Sequence, residues 1–248
     1  MKRIGRNLGL LLLWLGIWWG ISALVGNALL LPGPKDTWLA LSSLAVTQAF
    51  WQDTLLSLGR VLLGYLLGVL SGSILGMVCY FVRSVGLILE PVKHILRATP
   101  VVSFIILVLL WLKTGMVPVF ISFLMVLPLM WTAMQDGLAQ TSGSLLEMAR
   151  MYRFRKSQKL FKIYFPSLLP SFLTSCKNGI GLAWKAGISA EVIARPVQAI
   201  GARLQDAKVY LETPELFAWT GVVIILSLLL EKLLTLLTGL VRHRMVRQ

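Results

Sequence analysis

The run Val61–Val82, VLLGYLLGVLSGSILGMVCYFV, decides the architecture. It carries no charged residue and exceeds the ~18 apolar residues that a helix needs to cross a hydrocarbon core. Glycines recur in it at Gly64, Gly68, Gly72 and Gly76. Four residues is slightly more than one helical turn, so these glycines drift slowly around one face and leave a groove that admits another helix backbone. Packing within the chain is the ordinary use of such a groove; contact with a transported solute is the other.

Similar apolar runs lie on both sides: Leu8–Gly26, Thr99–Leu112, Met116–Met134, Leu168–Ala190 and Leu216–Val241. The run Thr99–Leu112 is short and contains Pro100, so it is read as continuing a helix that begins near Leu87. The chain is 57% hydrophobic and 14% charged, where a soluble domain carries about a quarter charged residues. An all-α polytopic membrane protein follows, a single transmembrane domain over residues 1–248 with about six spans. The first run follows a basic start, Met1-Lys2-Arg3-Ile4-Gly5-Arg6, but lacks a small-x-small cleavage site, which favours a retained span over a signal peptide.

The formal net charge of +14 does not point to nucleic acid, because the basic residues sit in short clusters between apolar runs. Lys2, Arg3 and Arg6 precede the first span; Arg83, Lys93 and Arg97 lie between the second and third. Arg150, Arg153, Arg155, Lys156, Lys159 and Lys162 lie between the fourth and fifth, and Arg242, Arg244 and Arg247 follow the last. Alternate loops are poorer, so the positive-inside rule places both termini in the cytoplasm. Leu29-Leu30-Leu31-Pro32-Gly33-Pro34 reads as a turn into a helix along the membrane surface, with Trp18, Trp19, Trp38 and Trp51 near the outer interface. Cys79 and Cys176 lie in apolar segments without metal-ligand spacing and read as buried thiols; no metal site is expected.

The longest basic loop reads Ser144-SLLEMARMYRFRKSQKLFKIYFPSLLP-Pro170, the letters including both named ends. Ser144-x-x-Glu147 is a capping-box pattern and predicts a short helix starting there. Leu145, Leu146, Ala149 and Tyr152 give that helix an apolar side. A basic amphipathic helix follows from about Lys156 to Tyr164, which Pro166 is expected to break. A solvated basic loop at the lipid headgroups would need none of this order.

This segment resembles the cytoplasmic motif of binding-protein-dependent ABC permeases: Glu-Ala-Ala, three residues, Gly, nine residues, Ile, one residue, Leu-Pro. Here Glu147-Met148-Ala149 is followed at the same spacing by Arg153, Ile163, Phe165 and Pro166. Met148, Arg153 and Phe165 replace alanine, glycine and leucine, and an arginine takes up a left-handed turn only at a cost. Further landmarks, Leu31-Pro32-Gly33-Pro34, Ser57-Leu58-x-Arg60-Val61-x-x-Gly64, Glu90-Pro91, Arg97-Ala98-Thr99-Pro100, Ala183-Trp184, Ala190-Glu191 and Ala199-Ile200-Gly201, resemble the nitrate, sulfonate and taurine branch.

The resemblance implies a type I importer permease in a bacterial cytoplasmic (inner) membrane. It implies a coupling loop over about residues 142–166, docking an ABC ATPase dimer through Leu146, Glu147, Ala149, Tyr152, Arg153, Ile163 and Pro166. It implies two permease copies, an extracytoplasmic binding protein, and a small, anionic solute of the sulfonate, nitrate or taurine class. The chain has no Gly-Lys dipeptide and hence no P-loop, so ATP and Mg belong on the ATPase and this chain is not an enzyme.

Charged residues inside a span normally face a cavity or a partner. Lys177 either snorkels to the cytoplasmic interface or joins the pathway; Lys185, deeper, either lines the pathway beside Trp184 or reaches the outer interface. Two copies of Lys185 across a dimer axis would form a ring favouring an anion. Glu191 is expected at the outer mouth, pairing with Arg195 or touching the binding protein. The loop Pro196–Pro214 is a docking loop or a solvated connector. A stand-alone secondary transporter or channel would need coupling carboxylates in the spans, and Glu191 and Glu231 lie close to span ends. A membrane enzyme would need clustered catalytic groups, and the histidines, His94 and His243, sit in basic segments.

Overall fold

The computed structural model describes the backbone of residues 2–246, with the side chains of residues 9–10 and 12–240. Lys2, Arg3, Arg6, Arg242, His243, Arg244 and Arg247 therefore lie outside the described side chains. The described residues are helical and contain no strand: α1 (Lys2–Val25), α2 (Pro34–Ala45), α3 (Gln48–Phe81), α4 (Arg83–Ala98), α5 (Val101–Val108), α6 (Val117–Ala139), α7 (Gly143–Met151), α8 (Lys156–Lys159), a π turn (Leu160–Tyr164), α9 (Phe165–Ala194), α10 (Ile200–Val209) and α11 (Thr213–Val246).

Among the described residues three helices, Gln48–Phe81, Thr114–Ala139 and Thr213–Leu240, are long and apolar enough to cross a membrane, or four if α4 and α5 count as one bent span. α9 is 30 residues long but is diluted by Lys177, Lys185 and Glu191. Two expected boundaries change. α3 begins thirteen residues before Val61, at Gln48, where the Thr47 hydroxyl accepts the Phe50 N–H at 3.3 Å and caps the helix. The run Thr99–Leu112 does not continue a straight helix from Leu87: α4 and α5 meet at 101°. Thr99 takes an extended conformation ahead of Pro100, as a residue before proline prefers. α4 is amphipathic, and its Lys93 is buried, held by Glu90 at 2.8 Å and Gln135 at 2.9 Å over the Trp131 ring.

α3 and α6 form the centre. A Cβ added at Gly64, Gly68, Gly72 or Gly76 would lie 2.2, 2.9, 2.5 or 2.6 Å from the carbonyl oxygens of Val119, Phe123, Leu127 and Trp131. Both helices advance four residues per contact in the same direction, so they run parallel with backbones touching. α9 runs antiparallel to both: Ser122 Oγ donates to Ala183 O at 3.1 Å, and Gly137 faces Ser171. Tyr65 Oη donates to Cys176 O at 3.0 Å, tying α3 to α9. α11 turns back along α9, with Trp184 Nε1 donating to Val223 O at 3.0 Å. α6 is buried over 72% of its apolar window and α11 over 6%, which makes α6 the axis and α11 a peripheral wall.

The two ends of the bundle differ. One gathers α2, α10 and the first turns of α3 and α11. There Trp18 Nε1 donates to Pro32 O, Trp51 Nε1 donates to Ala45 O, and Trp18 stacks on Phe217. The other gathers α4, α7, α8 and the π turn, with Arg83, Arg97, Arg150, Arg153, Arg155, Lys156, Lys159 and Lys162.

At the basic end the capping box expected at Ser144 does not form. The N-cap of α7 lies two residues earlier, at Ser142, whose hydroxyl bonds the Ser144 hydroxyl at 2.7 Å and caps no N–H. The other end of α7 closes as a Schellman turn. Phe154 N donates to Ala149 O at 2.9 Å and Arg153 N to Arg150 O at 3.1 Å, with Arg153 left-handed at φ 49°. Thus Arg153 does adopt the conformation that a glycine would take freely. Pro166 does not end the next helix either. It sits in the first turn of α9, where a missing N–H is tolerated, and the π turn before it leads straight into α9.

Four substitutions test this packing through thermal unfolding followed by a thiol-reactive dye, which reports exposure of the buried Cys79 and Cys176. Gly72→Ala destabilises by about 1–3 kcal/mol or more through overpacking, while Gly59→Ala, whose Cβ meets nothing within 4 Å, is neutral or stabilising. Arg153→Gly relieves about 1 kcal/mol of left-handed strain and raises the melting temperature, whereas Arg153→Val lowers it.

Candidate functional site

α9 shows an alternating surface. Thr174, Asn178, Leu182, Lys185, Ser189 and Ile193 are exposed at three- and four-residue spacing, while Gly179, Ile180, Ala183, Trp184 and Gly187 are buried. A largely polar stripe on a helix this deep in the bundle is not a lipid-facing surface. It opens on a groove of about 610 Å³ lined by Leu129 of α6, Lys177, Asn178, Gly181, Leu182 and Lys185 of α9, and Glu231 and Thr235 of α11. Lys177 and Lys185 therefore share one groove. Glu231, expected near a span end, instead lies against the middle of α9: a Cβ on Gly181 would be 2.8 Å from its Oε1. Beyond Leu182 a second groove of about 560 Å³ runs under the α4–α5 bend, past Arg97, Thr99, Thr132, Asp136 and Ser175. Trp184 is fully buried and its indole is spent on Val223, so it supports α9 from behind and does not line the groove.

Glu191 is likewise not at an open mouth, and its partner is not Arg195. It is fully buried, and its carboxylate accepts from Ser57 Oγ at 2.7 Å, Gly201 N at 3.1 Å and Arg60 at 3.3 Å. Ser57 Oγ also accepts the Ile200 N–H at 2.9 Å, and Arg60 donates to the carbonyls of Val197 and Gln198, each at 3.0 Å. A buried carboxylate with this many donors is a satisfied one. Arg195, left-handed at φ 47°, ends α9 and turns its guanidinium to Asp206 instead. With Arg203 bound to the buried Asp53 at 2.6 Å, these contacts fasten α10 to the outer ends of α3 and α9. Within Pro196–Pro214, α10 is thus anchored to its neighbours, while Val197, Tyr210 and Leu211 remain exposed. Gly201 admits no side chain, since a Cβ there would meet Glu191 Cβ at 2.3 Å.

In the basic loop, Ala149 and Ile163 are buried within the chain and hold the turn. Leu146 is half-buried, Glu147 is exposed, and Pro166 is exposed at the start of α9. The apolar surface that α7 offers outward is Leu145, Met148, Met151 and Tyr152, of which Met151 and Tyr152 are 83% and 75% exposed. The two methionines were not among the residues expected from the sequence, although Met148 occupies a motif position and Met151 lies one turn on. Ser57 and Arg60 stood in a landmark without a role. Glu231 was set aside as terminal; its signal was being an acid inside an apolar run. Among the described residues no cluster of three His, Cys, Asp or Glu could hold a metal.

Residues 64–247 match the family described as binding-protein-dependent transport system inner membrane component. The taurine transport system permease protein of Escherichia coli K12 is 26% identical over 93% of this chain and 86% of its own length. A putative aliphatic sulfonates transport permease protein of Bacillus subtilis is 28% identical over 90% of this chain and 81% of its own. A bicarbonate transport system permease protein of Synechococcus elongatus is 28% identical over 64% of this chain and 57% of its own. With a family match spanning most of its length and helices apolar enough to cross a membrane, the chain belongs to the binding-protein-dependent transport system inner membrane components, the multi-pass permeases of ABC transporters, which are not enzymes.

Proposed function

We propose that the chain is the permease of an ATP-driven importer that passes a small anionic solute to the cytoplasm by alternating access. The observation that carries this reading is the pair Lys177 and Lys185, which line one groove beside α9 at membrane depth. Two ammonium groups on a low-dielectric wall attract an anion. The relatives named for taurine, aliphatic sulfonates and bicarbonate support the same solute class. Delivery falls to an extracytoplasmic binding protein, with the α10 end of the bundle as its docking side.

The basic end faces the cytoplasm, by the asymmetry of arginine and lysine between the two ends. Six spans with both termini inside agree with that orientation: α1, α3, the α4–α5 pair, α6, α9 and α11. The ATPase dimer docks on α7 and its turn, with Leu145, Met148, Met151 and Tyr152 as the buried centre of the contact and the surrounding arginines as its rim. ATP and Mg are held by that dimer, and two permease copies face each other across the groove.

Two measurements test the reading. Met148→Glu or Tyr152→Glu weakens retention of the ATPase on the purified permease at least about tenfold, ~1.4 kcal/mol, with membrane insertion unchanged; normal retention moves the docking surface elsewhere. In proteoliposomes holding the whole importer, Lys185→Met lowers ATP-dependent uptake of a labelled sulfonate severalfold without loss of assembly. Wild-type uptake that proceeds without ATP would overturn the importer reading.

A further inference from the structure

The groove between α9 and α11 holds more than two positive charges. Glu231 projects from α11 against Gly181, and Gly181 stands midway between Lys177 and Lys185 on α9. Four residues of helix separate it from each lysine, about 6 Å along the axis. The carboxylate thus lies level with the point on α9 midway between the two lysines. Ion pairs among the described residues use Glu90, Glu191, Asp53 and Asp206; Glu231, Lys177 and Lys185 are in none of them. This contrasts with Glu191 on the same helix, whose oxygens are fully engaged.

Both signs of charge at membrane depth, in no ion pair among the described residues, call for something that supplies both. A pure anion would satisfy the lysines but stand beside a carboxylate that repels it. A solute carrying an acidic group and an ammonium group a few atoms apart would meet all three charges. Asn178 and Thr235, on the same walls, add neutral donors and acceptors. Lys232 follows Glu231 directly, but about 100° round the helix, and is not part of the lining. The small side at Gly181 has a reason here as well: any larger residue would displace the carboxylate.

We propose that this groove is a binding site for a small zwitterion, with Lys177 and Lys185 receiving its anionic group and Glu231 its cationic group. The proposal rests on the importer reading and narrows its solute from any small molecule with an anionic group to an amino acid-like or aminosulfonate-like one. Glu231 is then the residue that tells a zwitterion from a plain anion. The two lysines give the anionic end successive seats, one toward each end of α9, while the ammonium end stays on Glu231.

The test uses the assembled permease–ATPase complex in nanodiscs, without the binding protein, so that selectivity measured is that of the groove. The probes are labelled 2-aminoethanesulfonate and 3-aminopropanoate, with their des-amino partners ethanesulfonate and propanoate. The wild type binds the amino compounds at least about tenfold more tightly. Glu231→Gln abolishes that preference, weakening the amino compounds and sparing or tightening the plain anions; Glu231→Asp restores part of it; Lys185→Met weakens both classes. Equal affinity for both classes, no binding of either, or a Glu231→Gln variant that weakens both alike overturns the zwitterion site. ATP-dependent uptake by the intact importer, measured in parallel, keeps that failure separate from a failure of the importer reading.

Discussion

The close approach of α3 to α6 is the constraint on which the remaining structure depends. In lipid, apolar side chains gain little by leaving one apolar medium for another, so helix association rests on contact and hydrogen bonding. Four glycines at 64, 68, 72 and 76 bring two backbones together over three turns, and a Cβ at any of them would meet a carbonyl within 3 Å. Close contact in turn fixes the rotation of α6, and with it the direction of Ser122, whose hydroxyl binds α9. α9 is thereby set against both helices, and its polar stripe is turned away from them. The seam thus decides which face of α9 remains open.

Charge is handled in two ways along α9. At its outer end Glu191 is buried with Arg60, Ser57 and the Gly201 N–H, so its desolvation is offset by directed bonds. Removing Glu191 would take a shared acceptor from Ser57, Arg60 and the Gly201 N–H at once, which is why the set behaves as a clasp. In mid-helix, Lys177 and Lys185 lie in a groove and have no comparable set of bonds. A clasp holds a shape, and charges outside it are the ones on which the proposed solute site rests. The same helix therefore supplies a fixed end and a receptive middle.

Much of this was legible in the sequence, and the residues that were not have a common reason. The apolar runs, the glycine spacing and the order Glu147, Arg153, Ile163, Pro166 report local periodicity, which a sequence displays directly. Glu191 found its partners 131 and 134 residues away, at Arg60 and Ser57, whereas Arg195 was merely the nearest candidate along the chain. The 101° break between α4 and α5 was hidden because hydropathy measures how apolar a segment is and not where it points. At Ser142 and Ser144 two hydroxyls compete for one helix start, and the pattern Ser-x-x-Glu does not show which takes it. Trp184 beside Lys185 looked like a pathway pair, yet neighbours on a helix point about 100° apart, one into the core and one into the groove.

Continuity joins the two functional regions. The Schellman turn after α7, α8, the π turn and α9 form a nearly unbroken path from the exposed methionines of the basic loop to Lys177, Lys185 and Glu191. Pro166, expected to interrupt this path, falls where a helix dispenses with its N–H, so α9 leaves the loop as one 30-residue rod. A π turn has a wider and weaker bond pattern than the α-helix around it, and it is the place in this path where bending costs least. The Leu160–Tyr164 segment joins the basic loop to one end of α9, while the Glu191 clasp ties the other end to α3 and α10. Lys177 and Lys185 lie between the two. For the coupling proposed above, the loop and these charges belong to one path along the chain, so that no relay of side chains is required.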